Sequence, residues 1–168
     1  TEPRAVVAIL KHNTPCGAAR GVDLLSAWKG ALAGDPVSAF GGIVAFSHEV
    51  DGATESEIEE VVEAFGAAAA RAVAAGFDGV HIHGANGYLI TEFTSPVTNR
   101  REDRWGGDPA RRDAFPRAVV EAVRLAVPAG YPVTMKIGFV DAVPGGLEVA
   151  ESVRRAGVMV AAGLDGVE

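Results

Sequence analysis

His83, Asn86 and Tyr88 lie close together in the chain, separated only by Gly84, Ala85 and Gly87. Histidine and asparagine can both donate a hydrogen bond to an oxygen, and tyrosine can supply a proton. The glycines between them permit tight turning and close approach of backbone to a ligand. These residue types at this spacing read as a catalytic constellation. The bland alternative is a capped strand end whose polar side chains face solvent.

Such a group needs a rigid support. Residues 77–82 form an apolar run of strand length that ends at His83. Before it, Thr54 and Glu57 fit a capping box, and Ile58, Val61, Val62, Phe65, Ala69, Ala72 and Val73 form one helical stripe that Gly76 stops. After it comes a polar loop over residues 94–108. Pro109 suits the first turn of a helix carried by Phe115, Val119, Val120, Val123 and Val127. Residues 132–137 read as a strand, 149–162 as a helix, and 164–168 as the start of another strand. Upstream, residues 5–10 read as a strand, 11–17 as a turn, 22–32 as a helix and 43–46 as a strand.

This alternation predicts an α/β fold with a parallel sheet. Residues 74–80 are echoed by residues 161–167, each a helix stop feeding a strand. A repeated unit of that kind points to a partial TIM-barrel-like arrangement. Unpaired sheet edges would favour association, so a homo-oligomer is expected.

The formal net charge of −7 argues against a general nucleic-acid binder. No apolar run is long enough to span a bilayer, and the N-terminus shows no signal pattern. The one cysteine, Cys16, excludes an internal disulfide. Together these features set the expectation of a cytoplasmic protein acting on a small molecule.

From about residue 54 onward the chain resembles the old yellow enzyme family of FMN-dependent ene reductases. The resemblance rests on residues 76–80 and 82–89, Phe93, Ser95-Pro96, Thr98-Asn99-Arg100-Arg101, Asp103 and Trp105-Gly106-Gly107. It implies a segment from the middle of an eight-stranded barrel. It also implies FMN as cofactor, NAD(P)H as reductant and an α,β-unsaturated carbonyl as substrate. By the same resemblance, His83 and Asn86 would hold the carbonyl oxygen and Tyr88 would protonate the α-carbon. Lys136 stands where the family usually has an arginine near the flavin; lysine keeps the charge and loses the planar fork. His81 replaces the family's glutamate before Ile82. An incomplete barrel leaves turnover itself in question.

The first part of the chain is similar to something else. Lys11-His12 with Pro15-Cys16-Gly17, and then residues 35–43, resemble the AICAR transformylase part of the bifunctional purine biosynthesis enzyme, although Thr14 stands where that family commonly has asparagine. This implies a transformylase-like segment over residues 1–52, a barrel-like segment over 53–168 and a chimeric junction near residues 51–54. The alternatives to an ene reductase are therefore a formyltransferase fragment or a non-catalytic chimeric scaffold.

The remaining candidates are weaker. His81 and His83 are two apart on a strand and share one face, so they could ligate a metal. Only Glu168 offers a further ligand, and an interior, satisfied His81 is the simpler reading. Cys16 reads as a packing residue, Gly145-Gly146 as a weak phosphate signal, and residues 100–104 as a solvated, self-paired loop.

Overall fold

Val7 and Ile9 are fully buried while their neighbours are partly exposed, the pattern of a strand with one face on a core. This strand, β1 (Ala5–Lys11), is the centre of an antiparallel sheet. It pairs with β2 (Thr14–Gly21) on one side and β3 (Ile43–Phe46) on the other. The computed structural model describes residues 4–11, 14–39, 42–48 and 55–168, and these divide into two units, Thr1–Glu59 and Glu60–Glu168.

In the first unit the sheet is covered by α1 (Leu24–Leu32). Asp23 caps the helix: its carboxylate accepts from the Ser26 N–H at 2.7 Å, and the Ser26 hydroxyl approaches the Asp23 N–H in return. Leu24, Ala27 and Ala31 then face Val7 and Ile9 in one core.

The turn expected over residues 11–17 is corrected here. His12 and Asn13 lie outside the described residues, and Thr14 already begins β2. An alanine- and glycine-rich strand has little intrinsic preference to declare itself, so pairing with β1 decides its conformation. Gly17 shows the constraint: a Cβ there would come within 1.9 Å of the Ala31 carbonyl oxygen, so helix and strand backbones meet without a side chain between them. Cys16 lies on this strand, with its thiol 3.4 Å from the Ser38 carbonyl oxygen.

The helix of the long apolar stripe is α2 (Glu55–Ala74). Thr54, its expected cap, lies outside the described residues. Its stop is a left-handed Gly76 (φ +82°), with the Phe77 N–H donating to Ala72 O and the Gly76 N–H to Val73 O. The later echo has the same geometry: Gly163 is left-handed, Leu164 donates to Met159 O and Gly163 to Val160 O. The sequence repeat is thus a repeated helix stop that aims the chain into a strand.

The strands it feeds are β4 (Val80–Gly84) and β6 (Gly166–Val167), which flank β5 (Val133–Ile137) in a parallel sheet of order β4-β5-β6. The second unit is therefore an alternating α/β arrangement with an unclosed, TIM-barrel-like parallel sheet. Between β4 and β5 run α3 (Leu89–Thr94), α4 (Pro109–Arg112) and α5 (Ala114–Ala126), and α6 (Val149–Ala161) leads into β6. The single helix expected after Pro109 is broken at Asp113, with Asp108 capping its first turn.

The loop over residues 94–108 is anchored rather than simply solvated. Asn99 donates to Phe93 O at 2.6 Å and to Trp105 O at 2.7 Å, and accepts from the Arg101 N–H. Trp105 is buried edge-on against Phe115, and Arg101 pairs with Asp103 in a half-buried setting. Among the described residues no helix is long and apolar enough to cross a membrane.

Candidate functional site

Alternation along two parallel strands places the expected residues. Ile82, Val133, Met135 and Ile137 are buried on one face. The opposite face carries His81, His83, Thr134 and Lys136, with His81 in register with Thr134 and His83 with Lys136. This polar face is open. His81 is therefore not the interior residue expected: its side chain is 44% exposed, its Nδ1 lies 2.8 Å from the Thr134 hydroxyl, and its Nε2 lies 3.4 Å from Glu168. Among the described residues this sheet holds only β4, β5 and β6, so it does not close round that face.

Lys136 donates to Glu168 Oε1 at 2.6 Å. That hydrogen bond, and then the lysine charge, hold the Glu168 carboxyl below its usual range; His81 and His83 add smaller pulls. The open face thus has an ordered line of cation, carboxylate and imidazoles.

At the carboxyl end of β4 the chain turns sharply. Asn86 and Gly87 both adopt left-handed backbone, at φ +60° and +74°. Asparagine tolerates that region better than most residues, and glycine tolerates it freely. The turn brings Tyr88 back to start α3, and its ring centre lies 5.0 Å from that of His83, tilted by 56°. His83 and Tyr88 are thereby brought together. Asn86 and Lys136 instead share the wall of an adjoining cleft of about 550 Å³, together with Thr91, Glu92 and Asp141.

Two arginines that the sequence reading passed over hold α3 in place. Arg112 Nε and Arg155 Nη2 both donate to the Thr94 carbonyl at 3.3 Å, and both side chains reach Glu151 Oε1 at 2.9 Å. Arg155 also donates to Asp113 Oδ1 at 2.7 Å. Arg154 lies 2.6 Å from Asp113 Oδ2, close enough to pair by charge but off the hydrogen-bond axis. On the cleft's other side, Asp141 accepts from the Ser95 hydroxyl and the Leu147 N–H, tying the loop after β5 to the end of α3. Arginine on a helix reads as surface, so only the distant partners reveal this clamp.

Known proteins give the site its context. The sequence profile of the NADH:flavin oxidoreductase / NADH oxidase family matches residues 17–167. The chain is 62% identical over 73 residues to the probable NADH-dependent flavin oxidoreductase YqiG of Bacillus subtilis (strain 168), an alignment covering 44% of this chain and 20% of that protein. A 2-naphthoyl-CoA reductase in complex with 2-naphthoyl-CoA superposes with a TM-score of 0.67 at 31% identity, over 74% of this chain and 18% of that one. Morphinone reductase in complex with tetrahydroNAD gives 0.61 at 30%, over 76% and 36%. The chain spans well under half the length of each of these relatives.

The match also corrects the chimeric reading. It spans residues 51–54 and takes in residues 35–43, the stretch that resembles an AICAR transformylase piece. The glycines of that attribution have packing reasons of their own: a Cβ at Gly42 would meet the carbonyls of Ala39 and Leu10 at 3.0 Å, and Gly17 lies against α1. A transformylase segment, a junction and a role in purine biosynthesis are therefore unsupported. With its profile running through nearly all of the sequence, the chain belongs to the NADH:flavin oxidoreductase / NADH oxidase family.

Proposed function

We propose that this chain carries the substrate-activating part of an FMN-dependent, NAD(P)H-driven ene reductase acting on α,β-unsaturated carbonyls. The observation that supports this most is the cluster at the end of β4, where the His83 ring lies against Tyr88 and His83 is in register with Lys136. The solved relatives bear on the same reading, since two are named reductases and one is bound to tetrahydroNAD.

The donor set fits one edge of FMN. Lys136 offers a cation and N–H donors on the open face, which suits the electron-rich pyrimidine edge of the flavin ring, while Glu168 offsets part of that charge. When bound, reduced FMN supplies the hydride that reaches the β-carbon. The chain's own residues do the rest. His83 and Asn86 hydrogen-bond the carbonyl oxygen and stabilise the negative charge that grows there. Tyr88 delivers the proton to the α-carbon as general acid. The left-handed turn at Asn86 and Gly87 returns the tyrosine towards the histidine.

The test is conversion of cyclohexenone by the purified chain with FMN and NADPH, without oxygen and in heavy water. The expected product is the saturated ketone, with solvent deuterium at the α-carbon and protium from NADPH at the β-carbon. Conversion no faster than FMN and NADPH alone would contradict the proposal.

A further inference from the structure

The cleft beside Asn86 has a charge bias of its own. Its hydroxyl groups are all engaged within the protein: Thr91 donates to Gly84 O at 3.2 Å, Ser95 to Asp141 at 2.6 Å, and Thr98 to Glu92 O at 2.8 Å. Asp141 is occupied by Ser95 and the Leu147 N–H, and the Lys136 ammonium by Glu168. Glu92 is different. It projects from α3 into the same cleft, and among the described residues its carboxylate has no hydrogen-bond or ion-pair partner. Glu92 keeps an exposed surface, and the atoms of the cleft wall beside it raise its carboxyl above its ordinary value. A carboxylate on a cleft wall with no protein partner is open to a ligand that brings a cation or a hydrogen-bond donor.

We propose that Glu92 is a specificity-determining residue, selecting substrates that carry a cationic or hydrogen-bond-donating group at the end remote from the carbonyl and disfavouring carboxylates. This rests on the ene-reductase reading, because Asn86, on the same wall, then fixes the oxygen end of the substrate. The cleft, about 550 Å³, is large enough for the tail of a small conjugated molecule. With Asp141 and Glu92 on its wall against one lysine, part of whose charge Glu168 offsets, its field is net negative.

The test uses three phenols of similar size, whose oxygen stands in for the enolate: tyramine (cationic), para-ethylphenol (neutral) and para-hydroxyphenylpropionate (anionic). Each is titrated into the purified chain with FMN present, at low salt and mildly alkaline pH, by ligand-observed NMR. Tyramine should bind about tenfold more tightly than the propionate, a ratio that a partly screened charge at close range can produce. Glu92→Gln should bring the ratio close to one, and Glu92→Lys should invert it. Binding of para-ethylphenol with a cation-to-anion ratio that neither substitution changes would overturn the inference and leave the ene-reductase reading standing. Failure of all three phenols to bind the parent chain would overturn that reading, and the inference with it.

Discussion

Replacing Tyr88 by phenylalanine should slow the oxidative half-reaction with an enone by about 100- to 10,000-fold, the usual contribution of a general acid. Reduction of flavin by NADPH should stay nearly intact, because no proton from Tyr88 is needed there. The substitution is clean on structural grounds. The ring is retained, the residue is 53% exposed, and among the described residues its hydroxyl has no hydrogen-bond partner. Backbone groups make its structural contacts: the Tyr88 N–H donates to Ala85 O, and its carbonyl accepts from Glu92. Folding stability should therefore change by no more than about 0.5 kcal/mol. Stopped-flow absorbance of the flavin separates the two half-reactions. Equal loss in both would make Tyr88 a structural residue. His83→Ala should instead weaken binding of phenols, since it removes a donor to the oxygen.

Arg155→Ala should cost about 3–5 kcal/mol of stability, the range for breaking a buried ion pair by removing one partner. Arg155 is 2% exposed, and its loss would leave the buried Asp113 carboxylate facing a cavity and strip one donor from Thr94 O. The neighbouring Arg154 reaches the same carboxylate with a side chain 43% exposed, where solvent screens the charge. Arg154→Ala should therefore cost only about 0–1 kcal/mol. Urea denaturation of both variants checks the contrast, and equal midpoints would contradict it. Because Arg155 and Arg112 share Thr94 O, loss of Arg155 should also loosen α3, the helix that starts at Tyr88 and carries Glu92.

What was legible in the sequence followed local periodicity. The stripe from Ile58 to Val73 is helical, Gly76 stops it, and alternation around Met135 marks β5. The grouping of His83 with Tyr88 followed from a short turn at the end of a strand with one buried face, which needs no distant contact. Long-range decisions were hidden. β2 has few strand formers and is fixed by β1. In α6 the buried residues are Ser152, Arg155 and Met159, whereas Val149, Val153 and Val160 are exposed. That inversion exists because Arg155 finds Asp113, 42 residues away. Glu92 gave no signal in the sequence, since its role depends on which neighbours are already engaged.

If the carboxyl ends of β4 and β5 form a flavin-dependent site, as proposed, titration of the purified chain with FMN shows it most directly. Flavin fluorescence should show saturable binding of one FMN per chain, and Lys136→Met should weaken it by roughly tenfold, as expected for loss of a hydrogen bond from a charged donor. A parent chain that leaves the flavin signal unchanged at every protein concentration would contradict the claim.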